Sequence, residues 1–554
     1  MTTFSNVNRA EIITTLKEAK LDILVIGGGI TGAGISLDAV HRGLKTGLIE
    51  MQDYAAGTSS RSTKLIHGGL RYLTQFEIGL VAEVGKERSI VYENGPHITT
   101  PTWMMLPFYK DGTFGPLLTN VGLRVYDFLA GVKKSERRQM LSPEEAVNRE
   151  PLLQRENLIG AGVYVEYKTD DARLTIEVVK KSVELGTKAL NYTKVIEFLY
   201  DDDRKVIGVK VEDLITGEKY KIYAKKIINA TGPWVDEVRK LDEAIEGKAL
   251  HLTKGVHLVF PKRKFPLQQA IYFDNRDGRM IFAIPRRDKT YVGTTDTNYK
   301  GEIANPLVTM EDREYLIDAI QHMFPSLVIT DEDIESSWAG LRALIADGTD
   351  HPGEISRKDE IFVSSSGLYS IAGGKLTGYR KMAEDIIDRI VLDIKKEEGI
   401  LYSTSTTARL SISGGEVGGS NGFNEFKREK LKECLTLGIN EEDAEKLIHT
   451  YGANIDHILN FVQTYCKKVG HEKVNPMIYA TVMYAIKHEQ AYTPADYFVR
   501  RTGALLFDIE SVLTHKASVI RIMGKALDWT EEQTVTYTNE LNELIKTATT
   551  PSKQ

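Results

Sequence analysis

The chain has 554 residues, of which 27 % are charged and 42 % hydrophobic, and it carries a formal net charge of −6. This length accommodates two or three domains, and the balance of charged and apolar residues is ordinary for a soluble globular enzyme. The acidic surplus argues against a nucleic-acid partner, because nucleic-acid binders usually carry a basic surplus.

The chain begins with a predicted amphipathic helix over residues 8–19, and a strand–turn–helix–strand unit follows over residues 22–50. Residues 23–26 form a continuous apolar run, which is typical of a parallel strand buried on both faces. Three glycines follow in G-x-G-x-x-G spacing, namely Gly27, Gly29 and Gly32. This spacing permits a tight turn, close approach to a pyrophosphate and close packing of helix on strand. Glu50, which ends the second strand 23 residues after Gly27, can bind ribose hydroxyls, so the unit predicts dinucleotide binding.

Residues 57–72 are rich in hydroxyl groups, glycines and basic side chains. We interpret them as a second segment that contacts the cofactor, because hydroxyls and backbone N–H groups suit a pyrophosphate and a ribityl chain. The predicted cofactor contacts in this segment are Ser59, Ser60, Thr63 and Lys64. The composition alone leaves open a solvated loop that leads into a helix.

The sequences GGGITGAG and GTSSRSTKLIHGGLRYL together resemble the FAD-dependent glycerol-3-phosphate dehydrogenase family, quinone-linked enzymes that oxidise sn-glycerol 3-phosphate to dihydroxyacetone phosphate. The resemblance implies an α/β fold with three parts. These are a Rossmann-like FAD-binding domain of the glutathione-reductase and D-amino-acid-oxidase type, an antiparallel-sheet substrate domain and a C-terminal helical domain. The expected bounds are 1–85, 155–240 and 360–395 for the FAD-binding domain, 86–154 and 241–359 for the substrate domain, and 396–554 for the helical domain.

Residues 108–140 combine apolar clusters with a basic end. We expect a core helix whose terminal cations interact favourably with the helix dipole. The alternative is an amphipathic element that rests on anionic lipid. The basic residues are Lys133, Lys134, Arg137 and Arg138.

The next part of the chain, up to residue 232, predicts a helix and then several strands. The helix is expected over residues 171–185, where apolar residues recur at helical spacing, and strands are expected over 194–199, 205–212 and 219–223. A further strand at 227–228 precedes an Ala-Thr-Gly turn. A turn in this position suits close passage of the backbone by a cofactor, so Ala230 and Gly232 are predicted cofactor contacts.

Residues 250–261 and 270–294 have alternating patterns that predict an antiparallel sheet, the floor of a substrate domain. His257 lies in the first of these strands, where a lone histidine is more often structural than catalytic. The sequence LYSIAGGKLTGYR, residues 368–380, then predicts a strand, a double-glycine turn and a helix with Lys375 just inside it. The predicted cofactor contacts here are Gly374, Lys375, Leu376 and Thr377. A surface lysine is the alternative for Lys375.

Residues 403–421 have the composition of a linker, and the chain beyond them is predicted to be helical. Asn440 is positioned to cap a helix that ends at Gly452. A second helix is expected to start at Thr493, with Pro494 in its first position.

Flavin-dependent oxidation of an alcohol requires a base for the hydroxyl proton, cations for an anionic substrate and close alignment of the C–H bond with the flavin. Arginine is suited to phosphate because its planar fork matches the phosphate oxygens. The resemblance implies that the substrate pocket contains His67, Arg71, His257, Arg342, Arg357 and Lys375.

Our hypothesis makes His257 the general base and assigns the phosphate to Arg342 with Arg357. Arg71 and His67 would shape the pocket, and Lys375 would polarise the flavin or stabilise its reduced anion. The sequence leaves open which arginine meets the phosphate. His67 and Lys375 are the next candidates for the base.

The expected cofactor is FAD rather than NAD, because four segments have the composition to line one long ligand. We expect non-covalent binding, since no histidine or cysteine motif for a flavin linkage is evident. The resemblance further implies membrane quinone as electron acceptor and a lipid surface as a partner, and a homodimer is left open. Neither metal-ligand spacing nor a nucleic-acid motif was found.

Three other functions are alternatives to a quinone-linked dehydrogenase. An α-glycerophosphate oxidase would pass electrons to O2 and release H2O2, but that branch usually carries a mid-chain insertion for which 554 residues leave no room. An amine or amino-acid oxidase of the same superfamily would need a carboxylate clamp and an apolar pocket. A flavin-binding interaction module would not turn over at all.

The expected location is cytoplasmic, peripheral on the inner face of the cell membrane. The two cysteines, Cys434 and Cys466, predict a reducing compartment without a disulfide framework. No uncharged apolar run reaches the roughly 18 residues of a spanning helix. The N-terminus does not resemble a signal peptide.

Overall fold

The computed structural model describes residues 4–68, 78–110, 112, 115, 119–120, 122–124, 136–242, 248–346, 359–468 and 474–552. Within these ranges, no helix combines the length and apolar content needed to cross a bilayer. The helices described are α1 (Arg9–Glu18), α2 (Ile30–His41), α3 (Ile78–Asn94), α4 (Pro143–Arg149), α5 (Asp171–Glu184), α6 (Val235–Leu241), α7 (Met310–Met323), α8 (Tyr379–Glu398), α9 (Gly419–Thr436), α10 (Glu441–Tyr451), α11 (Ile455–Lys468), α12 (Pro476–Glu489), α13 (Ala504–Phe507), α14 (Ile509–Ala526) and α15 (Glu531–Thr549).

The strands fall into two sheets. They are β1 (Leu21–Ile26), β2 (Thr46–Ile49), β3 (Leu65–Ile66), β4 (Thr100–Tyr109), β5 (Gln139–Leu141), β6 (Leu158–Lys168), β7 (Lys188–Leu190), β8 (Thr193–Tyr200), β9 (Val206–Asp213), β10 (Lys219–Asn229), β11 (Leu250–Pro261), β12 (Ala270–Asp274), β13 (Met280–Arg286), β14 (Lys289–Gly293), β15 (Thr297–Asn298), β16 (Ser336–Ile345), β17 (Glu360–Val363) and β18 (Tyr369–Ala372).

The first sheet has β1 at its centre, in the order β17-β18-β10-β1-β2-β7. β1 pairs in parallel with β10 and β2, and all six of its residues are buried, which explains its continuous apolar sequence. Helix α2 packs beside α5 and α8 on this sheet. A Cβ atom at Gly34 would lie 2.9 Å from Tyr379 of α8, so glycine permits this close helix contact.

The second sheet runs in the order β15-β11-β14-β13-β12-β4-β6-β3, with β16 on β11 and β5 on β6. Its pairs are antiparallel except β12 with β4. Helix α7 covers an apolar core on this sheet. The antiparallel sheet predicted from residues 250–261 and 270–294 and the overall fold class are confirmed, and the role of this sheet toward a substrate stays a prediction.

The expected domain bounds stay a prediction, but strand pairing bears on them. β6, within the expected FAD-binding part, pairs with β4, and β3 pairs with β6. Both strands thus belong to the second sheet, and the chain passes between the two sheets more often than the bounds imply.

Several predicted local elements are confirmed. The Asn440 side chain accepts a hydrogen bond from Asp443 N and caps α10, which ends at Gly452. Pro494 is the first residue of the helical segment that continues through the π-helical turn Asp496–Arg501. The expected helix at 171–185 corresponds to α5, whose first turn is capped by Asp170.

Two local expectations are wrong. Residues 108–140 do not form one helix, because Phe108 pairs with Gly160 in β4 and Met140 pairs with Gly162 in β5. Lys133 and Lys134 lie outside the described residues. Lys375 is not inside a helix but extended at φ −138°, because Gly373 and Gly374 at φ +80° and +79° turn the chain before the helical residues begin.

Buried ion pairs connect the C-terminal helices to the first sheet. Arg501 Nη1 and Nη2 lie 2.6 and 2.8 Å from the two carboxylate oxygens of Asp53, a bidentate contact next to β2. The Glu489 carboxylate of α12 accepts a hydrogen bond from Arg173 Nη1 of α5 at 3.0 Å. Burial opposes ionisation of Glu489, but Arg173 and Lys180 lower its pKa to about 2.

We predict that Glu489→Gln lowers the free energy of unfolding by about 3 kcal/mol at pH 7, because the buried cations Arg173 and Lys180 each lose one of their two carboxylate partners and keep only Glu177. Since the folded pKa is depressed, the wild-type contribution is present above the ordinary pKa of 4.5 and is lost as the pH falls towards about 2. Urea denaturation at pH 7 and at lower pH should show the two proteins converging in acid. Glu543→Gln, at an exposed position on α15, is the control, and a loss no larger than its loss would contradict the prediction.

Candidate active site

A cavity of about 640 Å³ lies where the glycine-rich turns of the first sheet meet the second sheet. Most of the site residues predicted from the sequence line it: Gly27, Gly29, Glu50, Ser59, Thr63, His67, Ala230, Gly232, His257, Arg342, Gly374, Lys375, Leu376 and Thr377. Three described residues, Gly32, Ser60 and Lys64, are near it without lining it. Arg71 and Arg357 lie outside the described residues.

The glycine turn between β1 and α2 leaves no room for side chains. A Cβ atom at Gly27, where φ is +110°, would lie 2.6 Å from the Ala230 carbonyl oxygen. A Cβ atom at Gly32 would lie 1.9 Å from the Gly27 carbonyl oxygen. The backbone can therefore approach a ligand closely, and the N-terminus of α2 opens onto the same cavity, where its dipole favours an anion. This donor set fits a dinucleotide pyrophosphate.

Glu50 braces this turn. Its carboxylate accepts hydrogen bonds from Gly28 N at 2.6 Å and from Gln52 N at 2.7 Å. Burial raises the pKa of this carboxyl, and the two backbone donors act against that rise. Glu50 thus orders the end of β2 as well as lining the cavity, and its role toward a ribose stays a prediction.

The segment after β2 is held on both sides of the cavity. Ser59 Oγ accepts a hydrogen bond from Ile30 N, at the start of α2, at 2.9 Å. Thr58 Oγ1 donates to the Leu341 carbonyl oxygen of β16 at 2.7 Å. This segment therefore joins the helix N-terminus to the second sheet.

The Lys64 side chain does not line the cavity, and its contacts hold the surrounding backbone in place. Its Nζ forms a buried ion pair with Asp171 at 2.5 Å and donates to the Ser60 carbonyl oxygen at 3.0 Å. Asp171 also accepts from Ser62 N at 2.9 Å. The lysine therefore fixes the segment onto α5, and the sequence could not reveal this because its partner is 107 residues away.

The GGKLTGYR turn and the HGG segment are locked together. His67 N donates to Thr377 Oγ1 at 3.1 Å, and the Thr377 hydroxyl lies 3.1 Å from the His67 carbonyl oxygen. A Cβ atom at Gly374 would collide with the Met382 sulfur of α8. Lys375 is therefore presented to the cavity from a rigid turn.

His257 lies on β11 at the floor of the cavity. Its ring stacks on Trp338 of β16, with centroids 4.6 Å apart and planes within 8°. Its Nε2 lies 2.9 Å from Thr63 Oγ1. Nδ1 is enclosed and has no hydrogen-bond partner among the described residues. Burial, with the charges of Arg342 and Lys64, lowers the pKa of His257 well below its usual value.

Arg342 lies beside His257. A Cβ atom at Gly255, two residues before His257 and on the same face of β11, would lie 2.6 Å from Arg342 Nη2. The guanidinium donates to Asp296 Oδ1 at 3.2 Å and to Thr294 Oγ1 at 3.1 Å. The structure thus brings together a neutral imidazole and an oriented cation, which is the arrangement that proton removal from an anionic alcohol requires.

Some residues that line the cavity were not identified as site residues from the sequence. Residues 193–196 of β8, Trp234, Glu237 and Arg61 also line the cavity. No motif marks residues 193–196, because their position depends on distant contacts such as the hydrogen bond from Thr193 N to the Glu50 carbonyl oxygen at 2.7 Å. The Gly-Pro-Trp sequence after Ala230-Thr231 was the only signal for Trp234.

Protein-family models match two parts of the chain. Residues 22–380 match the FAD dependent oxidoreductase family, and residues 405–534 match the C-terminal domain of alpha-glycerophosphate oxidase. The aerobic glycerol-3-phosphate dehydrogenase of Bacillus subtilis is 55 % identical over 552 residues, covering 100 % of this chain and 99 % of that protein. The enzyme of the same name from Staphylococcus epidermidis is 54 % identical and covers 99 % of each chain.

Two solved structures are also similar. The glycerol-3-phosphate dehydrogenase from Bacillus halodurans, complexed with FAD, matches with a TM-score of 0.86 at 46 % identity, covering 100 % of this chain and 99 % of that chain. L-alpha-glycerophosphate oxidase from Mycoplasma pneumoniae, with FAD bound, matches with a TM-score of 0.54 at 18 % identity over 70 % of this chain and 97 % of that chain. The second likeness is one of fold alone.

We predict that Gly32→Ala raises the Kd for FAD at least tenfold, which corresponds to about 1.4 kcal/mol, and thereby lowers the flavin content of the purified protein. The added methyl group would meet the Gly27 carbonyl oxygen at 1.9 Å and push α2 away from β1. The ratio of flavin absorbance to protein absorbance measures the effect. Gly79→Ala, an exposed site in α3 where an added Cβ meets nothing within 4 Å, is the control. Full flavin content in Gly32→Ala would show that the turn tolerates displacement.

Proposed function

This chain belongs to the family of FAD-dependent aerobic glycerol-3-phosphate dehydrogenases, and from that premise we propose that it oxidises sn-glycerol 3-phosphate to dihydroxyacetone phosphate. The observation that carries the proposal is the pairing of His257 with Arg342 in the cavity lined by the glycine turns. FAD, bound without a covalent link, supplies the hydride acceptor.

His257 accepts the proton of the substrate hydroxyl at Nε2. We assign this role to Nε2 because it faces the hydroxyl of Thr63, a residue that also lines the cavity, whereas Nδ1 is enclosed. Because the pKa of His257 is held low, the imidazole is neutral at pH 7 and its lone pair is available. The Trp338 ring and Thr63 fix its orientation.

Arg342 holds the substrate phosphate. Asp296 and Thr294 orient its guanidinium next to the imidazole, so a bound phosphate dianion would lie close to His257. That negative charge offsets the effect of Arg342 on the imidazole and makes His257 a stronger base when substrate is present. Arg357 and Arg71 remain predicted partners in the same pocket. Lys375, which follows β18 of the first sheet, and His67, which follows β3 of the second sheet, also line it.

We predict that His257→Asn slows anaerobic flavin reduction by glycerol 3-phosphate about 100-fold or more, the usual contribution of a positioned base. Between about pH 7 and 8, where the substrate phosphate is a dianion, the wild-type rate should be independent of pH, because the pKa of His257 is held well below its usual value. Stopped-flow absorbance measures both.

The control for this variant is His251→Asn, six residues earlier on β11, where the ring bonds Asn298 outside the cavity. A His257→Asn rate close to that of the wild type would place the base elsewhere, with His67 and Lys375 tested next. A wild-type rate that rises between about pH 7 and 8 would contradict the neutral imidazole.

The electron acceptor is membrane quinone in our proposal, with the protein peripheral on the inner face of the cell membrane. The names of the full-length relatives at 54–55 % identity support a dehydrogenase. An α-glycerophosphate oxidase is the second candidate, favoured by the match of residues 405–534. An amino-acid-oxidising flavoenzyme is the third candidate, and it is not favoured because the full-length relatives are named glycerol-3-phosphate dehydrogenases.

We expect glycerol 3-phosphate to bleach the flavin anaerobically, with slow recovery of colour in air and fast recovery on addition of a soluble quinone analogue. The physical reason is that a dehydrogenase site shields reduced flavin from O2 but passes electrons to quinone. Absorbance and a peroxide assay follow the reaction. Prompt recovery with stoichiometric peroxide would establish the oxidase, and absence of bleaching would exclude both, leaving a flavin-binding module.

A further inference from the structure

Arg61 is a cavity residue to which the proposed reaction gives no role. It directly follows the short helical turn Thr58–Ser60, whose Ser59 contacts the start of α2. Its carbonyl oxygen accepts a hydrogen bond from Trp338 Nε1 at 3.2 Å. A Cβ atom at Gly340 would lie 2.4 Å from the same oxygen, so the Arg61 backbone is pressed onto β16. The position of this arginine is therefore fixed.

The guanidinium of Arg61 lacks an anionic partner in the described part of the chain. Nη2 donates to the Ala304 carbonyl oxygen at 3.1 Å, and no carboxylate of a described residue lies within 4.0 Å of the side-chain nitrogens. Burial, followed by the charge of Arg500, lowers the pKa of Arg61 to about 10. A partly buried cation that lines a cavity and has no carboxylate partner there is suited to bind a ligand anion.

Arg61 lines the cavity on the same short segment as Ser59, whose Oγ accepts a hydrogen bond from Ile30 N at the start of α2. The N-terminus of α2 is the group suited to a pyrophosphate. Trp338, which donates to the Arg61 carbonyl oxygen, stacks on His257, so this segment runs from the dinucleotide end of the cavity towards the base.

We propose that Arg61 binds the pyrophosphate of FAD and thereby gives this cavity its preference for the dinucleotide over flavins that lack phosphate. Its planar fork keeps several N–H donors free after the single bond to Ala304, and such a fork matches phosphate oxygens. The glycine turn supplies neutral donors to the same group, and Arg61 supplies the positive charge. This proposal rests on FAD as the cofactor but not on the substrate.

The test uses apoprotein of the full chain, titrated with FAD, ADP and riboflavin. In Arg61→Gln, the Kd for FAD and for ADP should rise about 10- to 100-fold, as expected when a charge-assisted hydrogen bond is lost. The Kd for riboflavin should stay unchanged, because riboflavin has no phosphate. The Kd of Arg61→Lys for FAD should lie between that of the wild type and that of Arg61→Gln, since lysine keeps the positive charge but lacks the planar fork of N–H donors. Flavin fluorescence quenching and calorimetry give the constants.

Arg263→Gln is the matched control, because Arg263 is three-quarters exposed. An equal loss of FAD and riboflavin binding would overturn the proposal, since it would show that the cavity itself is altered. Unchanged FAD binding with weaker glycerol 3-phosphate binding would also overturn it and move Arg61 to the substrate phosphate. A wild-type flavin that glycerol 3-phosphate cannot bleach would refute the proposed reaction while leaving these Kd values interpretable.

Discussion

The contact between Gly32 and the Gly27 carbonyl is the constraint on which the rest of the site depends. A single methyl group at Gly32 would come within 1.9 Å of that oxygen, so α2 can start directly above the end of β1 only with glycine at both places. This closeness brings the helix N-terminus to the cavity, where Ser59 meets Ile30 N and Glu50 meets Gly28 N. The segments that carry the remaining cavity residues are attached to this turn.

Cations in the scaffold have carboxylate partners, whereas the cavity contains basic side chains that have none among the described residues. In the scaffold, Arg501 is matched by Asp53, and Arg173 by Glu177 and Glu489, so that these buried cations are fully paired. The partly buried Arg61 and the buried His257 both line the cavity, and neither has a carboxylate partner within 4.0 Å among the described residues. Groups that the protein leaves electrostatically incomplete are those that a bound anion or a transferred proton would complete.

The C-terminal helices act on the site through the scaffold. Asp53, which lies in the loop after β2 and three residues after Glu50, binds both Arg500 and Arg501 of the C-terminal part. The loop after β2 is therefore positioned by residues more than 400 positions later in the chain. The helical part thus stabilises the dinucleotide end of the cavity even though none of its residues lines it among the residues described.

The sequence by itself determined the elements whose causes are local. The glycine spacing, the apolar run of β1, Glu50, the Asn440 cap and the double glycine before Lys375 each depend on neighbours a few residues away, and most of the residues predicted for the site line one cavity. Tertiary structure alone decided what depends on distant partners. Lys64, expected at the cofactor, pairs with Asp171, the segment ending at Met140 joins a sheet through β6, and Arg61 gains its importance because no carboxylate of the described chain reaches it. Ion pairing and strand pairing join residues far apart in the sequence, and the amino-acid pattern around one residue does not identify its distant partner.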